Sequence, residues 1–233
     1  MKHQLVTVLS CALLLLSGMS RAEPPAGAAY LDGQQCKTAL ILAHGRGKHP
    51  TWKVVEPLRT GVHAQLGYHT LSLQMPNADK HWKKYADDFP GAYRTIEEAI
   101  RFLREERGVT KIYLMGHSMG SRMASAFIAQ HRAQAVAGLI IAGCRNSGDA
   151  PLACDENIHQ VRIPVLDIWG GGDEKDTDAA RDRHTYVSGI YKQEAIPGAN
   201  HRFDGHEAEF VAAVVAWLKT QESGALITTS QND

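Results

Sequence analysis

Short apolar runs alternate with helix-period stripes along most of the chain. Thr38 to Ala43 (TALILA), Tyr68 to Gln74 (YHTLSLQ), Lys111 to Met115, Val136 to Ala142 and Val165 to Trp169 read as strands, with a weaker sixth over Tyr191 to Ile196. Between them, helices are predicted over 54–66, 93–107, 119–131, 177–187 and 206–220. The second is the clearest: Ile96, Ala99, Ile100 and Leu103 fall at i, i+3, i+4 and i+7, the apolar stripe of an amphipathic helix. In the last, Phe210, Val214, Trp217 and Leu218 share a face. Strands apolar throughout are covered on both faces, as in a parallel sheet between helices. Their alternation with helices predicts one α/β domain over 23–221, a three-layer sandwich of about six mostly parallel strands. Its crossovers are expected to be right-handed, with ligands at the carboxyl ends of the strands. Residues 23–37, rich in Pro, Ala and Gly, are expected to wrap the surface; 77–92 read as a polar, aromatic-bearing loop, and 222–233 as a flexible tail.

The first 22 residues are unlike the rest. Lys2 and His3 precede an apolar run centred on Leu13 to Leu16, and Ser20-Arg21-Ala22 offers small residues at cleavage positions. That is the pattern of a secretory signal peptide, too short for a stable membrane span, so an exported protein, periplasmic or secreted, is expected. Without it, 23 basic residues face 25 acidic ones, a net charge of −2 that argues against a nucleic-acid partner. Export also changes the cysteines. Cys11 leaves with the signal, and Cys144 and Cys154, bracketing a short polar loop, form the expected disulfide pair, with Cys36 free at the base of a strand. Neither loop cysteine has a second Cys or His at ligand spacing, so neither a metal nor a cofactor is expected.

Gly116-His117-Ser118-Met119-Gly120 joins an apolar strand to a helix, the context of a nucleophile elbow. Ser118 needs a base. His201, in Ile-Pro-Gly-Ala-Asn-His-Arg-Phe, follows the last strand and is the choice over His206, which begins the next helix. The orienting acid should follow a strand end too. Asp173, after the glycines of Trp-Gly-Gly-Gly-Asp, is chosen. Asp167 lies within its strand, and Glu174 and Asp176 read as loop or helix-start charges. An oxyanion would be met by the backbone N–H of Met119 and of Arg46, in His44-Gly45-Arg46-Gly47 after the first strand.

With those residues in that order, the chain resembles the α/β-hydrolase family over nearly its whole mature length. The resemblance implies a serine hydrolase that cleaves a small-molecule carboxylic ester through an acyl-enzyme. A thioesterase is the near alternative; a dienelactone-type enzyme fits less well, because those relatives usually carry a Cys nucleophile. A catalytically silent binding protein on the same fold is the alternative of a different class. Two departures stand out. The family's opening antiparallel strands look shortened or missing, and only about twenty residues, too few for a cap domain, separate the fourth and fifth strands. An open pocket is therefore expected; the loop His81-Trp82-Lys83-Lys84-Tyr85 reads either as its entrance, favouring a polar or anionic acyl group, or as a solvated loop with one anchored aromatic.

Overall fold

In a computed structural model that describes residues 23–78, 80–130 and 136–229, the apolar runs assemble into one sheet. Its seven strands are β1 (Ala29–Leu31), β2 (Thr38–Ala43), β3 (His69–Leu73), β4 (Lys111–His117), β5 (Gly138–Ala142), β6 (Val165–Gly170) and β7 (Tyr191–Ile196). Their order is β1-β3-β2-β4-β5-β6-β7. All neighbours are parallel except β1, which runs antiparallel to β3. The expected signal peptide, Cys11 included, lies outside the described residues.

The pleat divides the core. Ala39, Ile41 and Ala43 of β2 face one side, and Leu40 and Leu42 the other, all fully buried. Helices α2 (Phe89–Arg107) and α3 (Met119–Gln130) cover the first side with Phe89, Ile96, Leu103, Met123 and Phe127. Helices α1 (Val55–Leu66) and α6 (Glu207–Thr229) cover the second with Leu58, Val62, Phe210, Val214 and Trp217. The edge strand β7 is discouraged from pairing further by exposed Lys192 and Glu194.

The structure corrects the sequence reading at four places. The sheet has seven strands rather than about six, because 23–37 contributes β1, whose three residues are too few to show an alternation. The expected loop at 77–92 holds a 3-10 helix, Trp82–Asp88, and α2 begins at Phe89, four residues early, with Pro90 in its first turn. After the short α4 (Cys154–Ile158), the helix expected over 177–187 is α5 (Glu174–Asp182), followed by a 3-10 turn at Arg183–Tyr186. Finally, α6 runs past the expected tail boundary at 222. The Glu222 carboxylate accepts hydrogen bonds from Tyr68 Oη (3.0 Å), Tyr113 Oη (3.3 Å) and Lys111 Nζ (2.9 Å), three groups at the base of the sheet.

Connectivity places the site. From β2 the chain moves outward to β3, then crosses back to β4 on the other side of β2. That reversal leaves a crevice at the carboxyl ends of β2 and β4, where the His44–Gly47 and Ser118 turns emerge.

Candidate active site

The elbow is held by close backbone approach. A Cβ on Gly116 would lie 2.3 Å from the Gly120 carbonyl oxygen, and one on Gly120 would lie 2.2 Å from the Ala43 carbonyl oxygen. No side chain fits at either position, so α3 can leave β4 hard against β2. Ser118, between them, has φ = 55°, a left-handed conformation that a non-glycine residue adopts at a cost. Its N–H donates to Ala142 O at 2.9 Å, tying the turn to the end of β5.

Ser118 Oγ lies 2.9 Å from His201 Nε2, and His201 Nδ1 lies 2.6 Å from Asp176 Oδ2. The structure thus brings the predicted serine and histidine together, and the carboxylate it places against the imidazole is Asp176 rather than the predicted Asp173. Asp173 is the N-cap of α5: its Oδ1 accepts the Asp176 amide at 2.9 Å and a bond from Arg145 Nη2 at 3.1 Å. Asp176, one turn into the helix and 1 % exposed, turns inward to the imidazole. Its other oxygen accepts from Arg145 Nε at 2.7 Å. Burial pushes the Asp176 carboxyl up, but bonds and charges from His201 and Arg145 outweigh it and hold the group below its ordinary value. His206 stands apart, facing Glu209 at 3.9 Å.

Two buried histidines flank this relay. His117 Nε2–H donates to the His201 carbonyl at 2.9 Å, a direction fixed because a carbonyl only accepts. Burial, helped by the neighbouring His201, pushes its pKa down to about 3, so the ring stays neutral. His44 Nδ1–H donates to Gly45 O at 2.8 Å, and its Nε2 accepts the Met75 amide at 3.1 Å. In a trans peptide the N–H points opposite to the preceding C=O. Pinning the Gly45 carbonyl to the His44 ring therefore turns the Arg46 N–H the other way. A Cβ on Gly45 would lie 3.3 Å from Ser118 Cβ, so this peptide runs alongside Ser118. Met119 opens α3, and its N–H has no partner within that helix.

Asp167 takes no part in the relay. Fully buried in β6, it accepts both Arg183 Nε (3.0 Å) and Arg183 Nη2 (2.9 Å), and also Tyr191 Oη at 2.7 Å. Arg183 in turn holds Cys144 O (2.7 Å) and Asn146 Oδ1 (2.6 Å), fixing the loop that presents Arg145. A disulfide between Cys144 and Cys154 closes the same loop, and Cys36 is free and half-buried. Asp173, Asp176 and His201 place ligand atoms within 4.8 Å of one another, but a cation already sits on both carboxylates, the Arg145 guanidinium.

A family model described as "Protein of unknown function (DUF3530)" matches residues 91–218, more than half the chain. The chain belongs to this family. The matched stretch contains Ser118, Arg145, Asp176 and His201, while the Gly45 turn precedes it. No curated protein matches the DUF3530 chain. Among solved structures, it is similar to Est1E from Butyrivibrio proteoclasticus with bound ferulic acid: TM-score 0.69, 18% identity, covering 84% of this chain and 95% of that one. An alpha-beta serine hydrolase homologue from Coxiella burnetii gives TM-score 0.68 at 21% identity, covering 84% and 95%. A dienelactone hydrolase from Anabaena variabilis gives 0.67 at 18%, covering 83% and 90%. At such identities the likeness establishes the fold: the DUF3530 chain has the α/β-hydrolase fold.

Proposed function

We propose that the protein is a serine hydrolase that cleaves a carboxylic ester through an acyl-enzyme. The observation that carries this reading is the continuous relay from Ser118 Oγ through His201 to Asp176, at 2.9 and 2.6 Å. In this mechanism, Ser118 Oγ bonds to the ester carbonyl carbon while His201 Nε2 takes its proton. The carbonyl electron pair moves to oxygen, and the Met119 and Arg46 amides are the donors that meet it. When the tetrahedral species collapses, the C–O bond to the alcohol breaks and His201 returns the proton to the departing oxygen. Water then attacks the acyl-enzyme with His201 as base, and Ser118 leaves with the proton. Asp176 holds the Nδ1–H tautomer and stabilises the imidazolium.

Similar structures bear names that fit this reading, an alpha-beta serine hydrolase homologue and a dienelactone hydrolase, and Est1E is seen with ferulic acid bound. A silent binding protein would have no use for a strained serine bonded to an imidazole and a buried carboxylate. Export fits the Cys144–Cys154 disulfide, since such bonds persist in oxidising compartments. The test is turnover of p-nitrophenyl esters by acyl length. Activity that falls to background in Ser118→Ala supports the reading, and activity unchanged in that variant refutes it.

A further inference from the structure

Arg122 lies one helical turn beyond Ser118, and its amide donates to the Ser118 carbonyl at 3.3 Å. Helical Cα–Cβ bonds lean toward the N-terminus, the end of α3 at which Ser118 stands. It is 6 % exposed. Nη1 donates to Ser147 O at 2.7 Å and Nη2 to Ser147 Oγ at 2.9 Å, while the guanidinium rests over the Trp82 ring, 5.2 Å from its centroid. Both acceptors are neutral and belong to one exposed loop residue.

The neighbouring guanidiniums are neutralised: Arg145 by Asp173 and Asp176, Arg183 by Asp167. Among the described residues, Arg122 has no carboxylate at ion-pair distance; Asp155 attracts it only from further off. Burial, with repulsion from Arg145 and Arg183, lowers its pKa to about 10. A buried cation whose hydrogen bonds go to neutral atoms is a costly feature, and here it sits on the helix that opens just after Ser118. The loop that holds it also backs the site, since a Cβ on Gly143 would lie 2.9 Å from His201 Nδ1. A second cation shares its aromatic neighbour, since Lys83 also lies over the Trp82 ring.

We propose that Arg122 anchors an anionic substrate: an ester whose acyl part carries a carboxylate, which takes the guanidinium edge now given to Ser147 while Trp82 covers the face. The planar fork is suited to a carboxylate approaching in its own plane. The inference rests on the hydrolase reading and adds the substrate class.

The experiment compares kcat/KM for p-nitrophenyl hydrogen glutarate with that for p-nitrophenyl valerate, its neutral counterpart in length. The wild type should favour the anionic ester. The anionic-to-neutral ratio should fall in Arg122→Gln by about tenfold to a hundredfold, the worth of one charge-assisted pair, with part of it restored in Arg122→Lys. Glutarate should competitively inhibit valerate hydrolysis by the wild type. A wild-type preference for the neutral ester, or a ratio unchanged in Arg122→Gln, overturns the proposal. If Arg122→Gln does not fold, absence of glutarate inhibition in the wild type overturns it alone. Failure of the hydrolase reading would show separately, as neutral-ester turnover that survives Ser118→Ala.

Discussion

Asp176→Asn and Asp173→Asn form a matched pair, because each removes one charge from one turn of α5. Asp176 is buried, with one oxygen on His201 Nδ1 at 2.6 Å and the other on Arg145 Nε at 2.7 Å. An asparagine there offers one acceptor where two are needed, and it removes the charge that favours the imidazolium. Loss of a triad carboxylate by this substitution costs up to about four powers of ten in kcat, or about 5 kcal/mol of transition-state stabilisation. At position 173 an asparagine caps α5 as well as aspartate does. What is lost is one partly exposed ion pair to Arg145, worth about 0–1 kcal/mol, while Arg145 keeps Asp176. Turnover of p-nitrophenyl acetate by the two purified proteins, with melting curves to confirm folding, is the assay. Asp176→Asn should lose nearly all activity and Asp173→Asn less than about fivefold. Equal losses, or the larger loss at Asp173, would refute the assignment. Stability offers a second check. The folded Asp176 carboxyl lies below its ordinary value, so the ionised group stabilises the fold above the ordinary carboxylate pKa. That contribution disappears as pH falls through the folded value, and Asp176→Asn should lack this part of the acid sensitivity.

His117 has its folded pKa lowered to about 3 against roughly 6.5 unfolded, so its contribution is complete above the unfolded value and is lost as pH falls toward the folded one. Urea melts at pH 7 and pH 5 should differ by about 2 kcal/mol more in the wild type than in His117→Gln, and equal differences would contradict the assignment. Asp167→Ala leaves the Arg183 cation buried and unpaired and should cost about 3–5 kcal/mol in chemical denaturation; a change under about 1 kcal/mol would contradict the anchoring role. Gly120→Ala must push backbone off backbone at Ala43 and His44, so it should cost about 1–3 kcal/mol or prevent folding, and near-wild-type stability would contradict the tight elbow.

The strands apolar on both faces were legible because burial on both sides leaves no polar alternation, and Ser118 was legible because glycines flank it between a strand and a helix. His201 followed from its place after the last strand. Asp176 was not legible. Asp173 and Asp176 follow the same glycine turn three residues apart, and only the helix start decides which one caps and which turns inward. An Asp-x-x-Asp after a glycine turn was the available signal, the spacing at which a capping residue and a first-turn acid meet. His117 and His44 escaped notice as positioning groups because hydrogen bonds to carbonyls leave no sequence pattern. The antiparallel β1 was missed for its shortness, and the continuation of α6 because Glu222 is polar yet satisfied by groups distant in sequence.

Covalent labelling tests the central claim most directly. The wild-type protein is treated with a fluorophosphonate, weighed intact and digested to map the adduct. The account predicts one adduct per chain, on Ser118, absent in Ser118→Ala and strongly slowed in His201→Ala but not in His206→Ala. Folded wild-type protein that takes no label, or carries it on another residue, would contradict it.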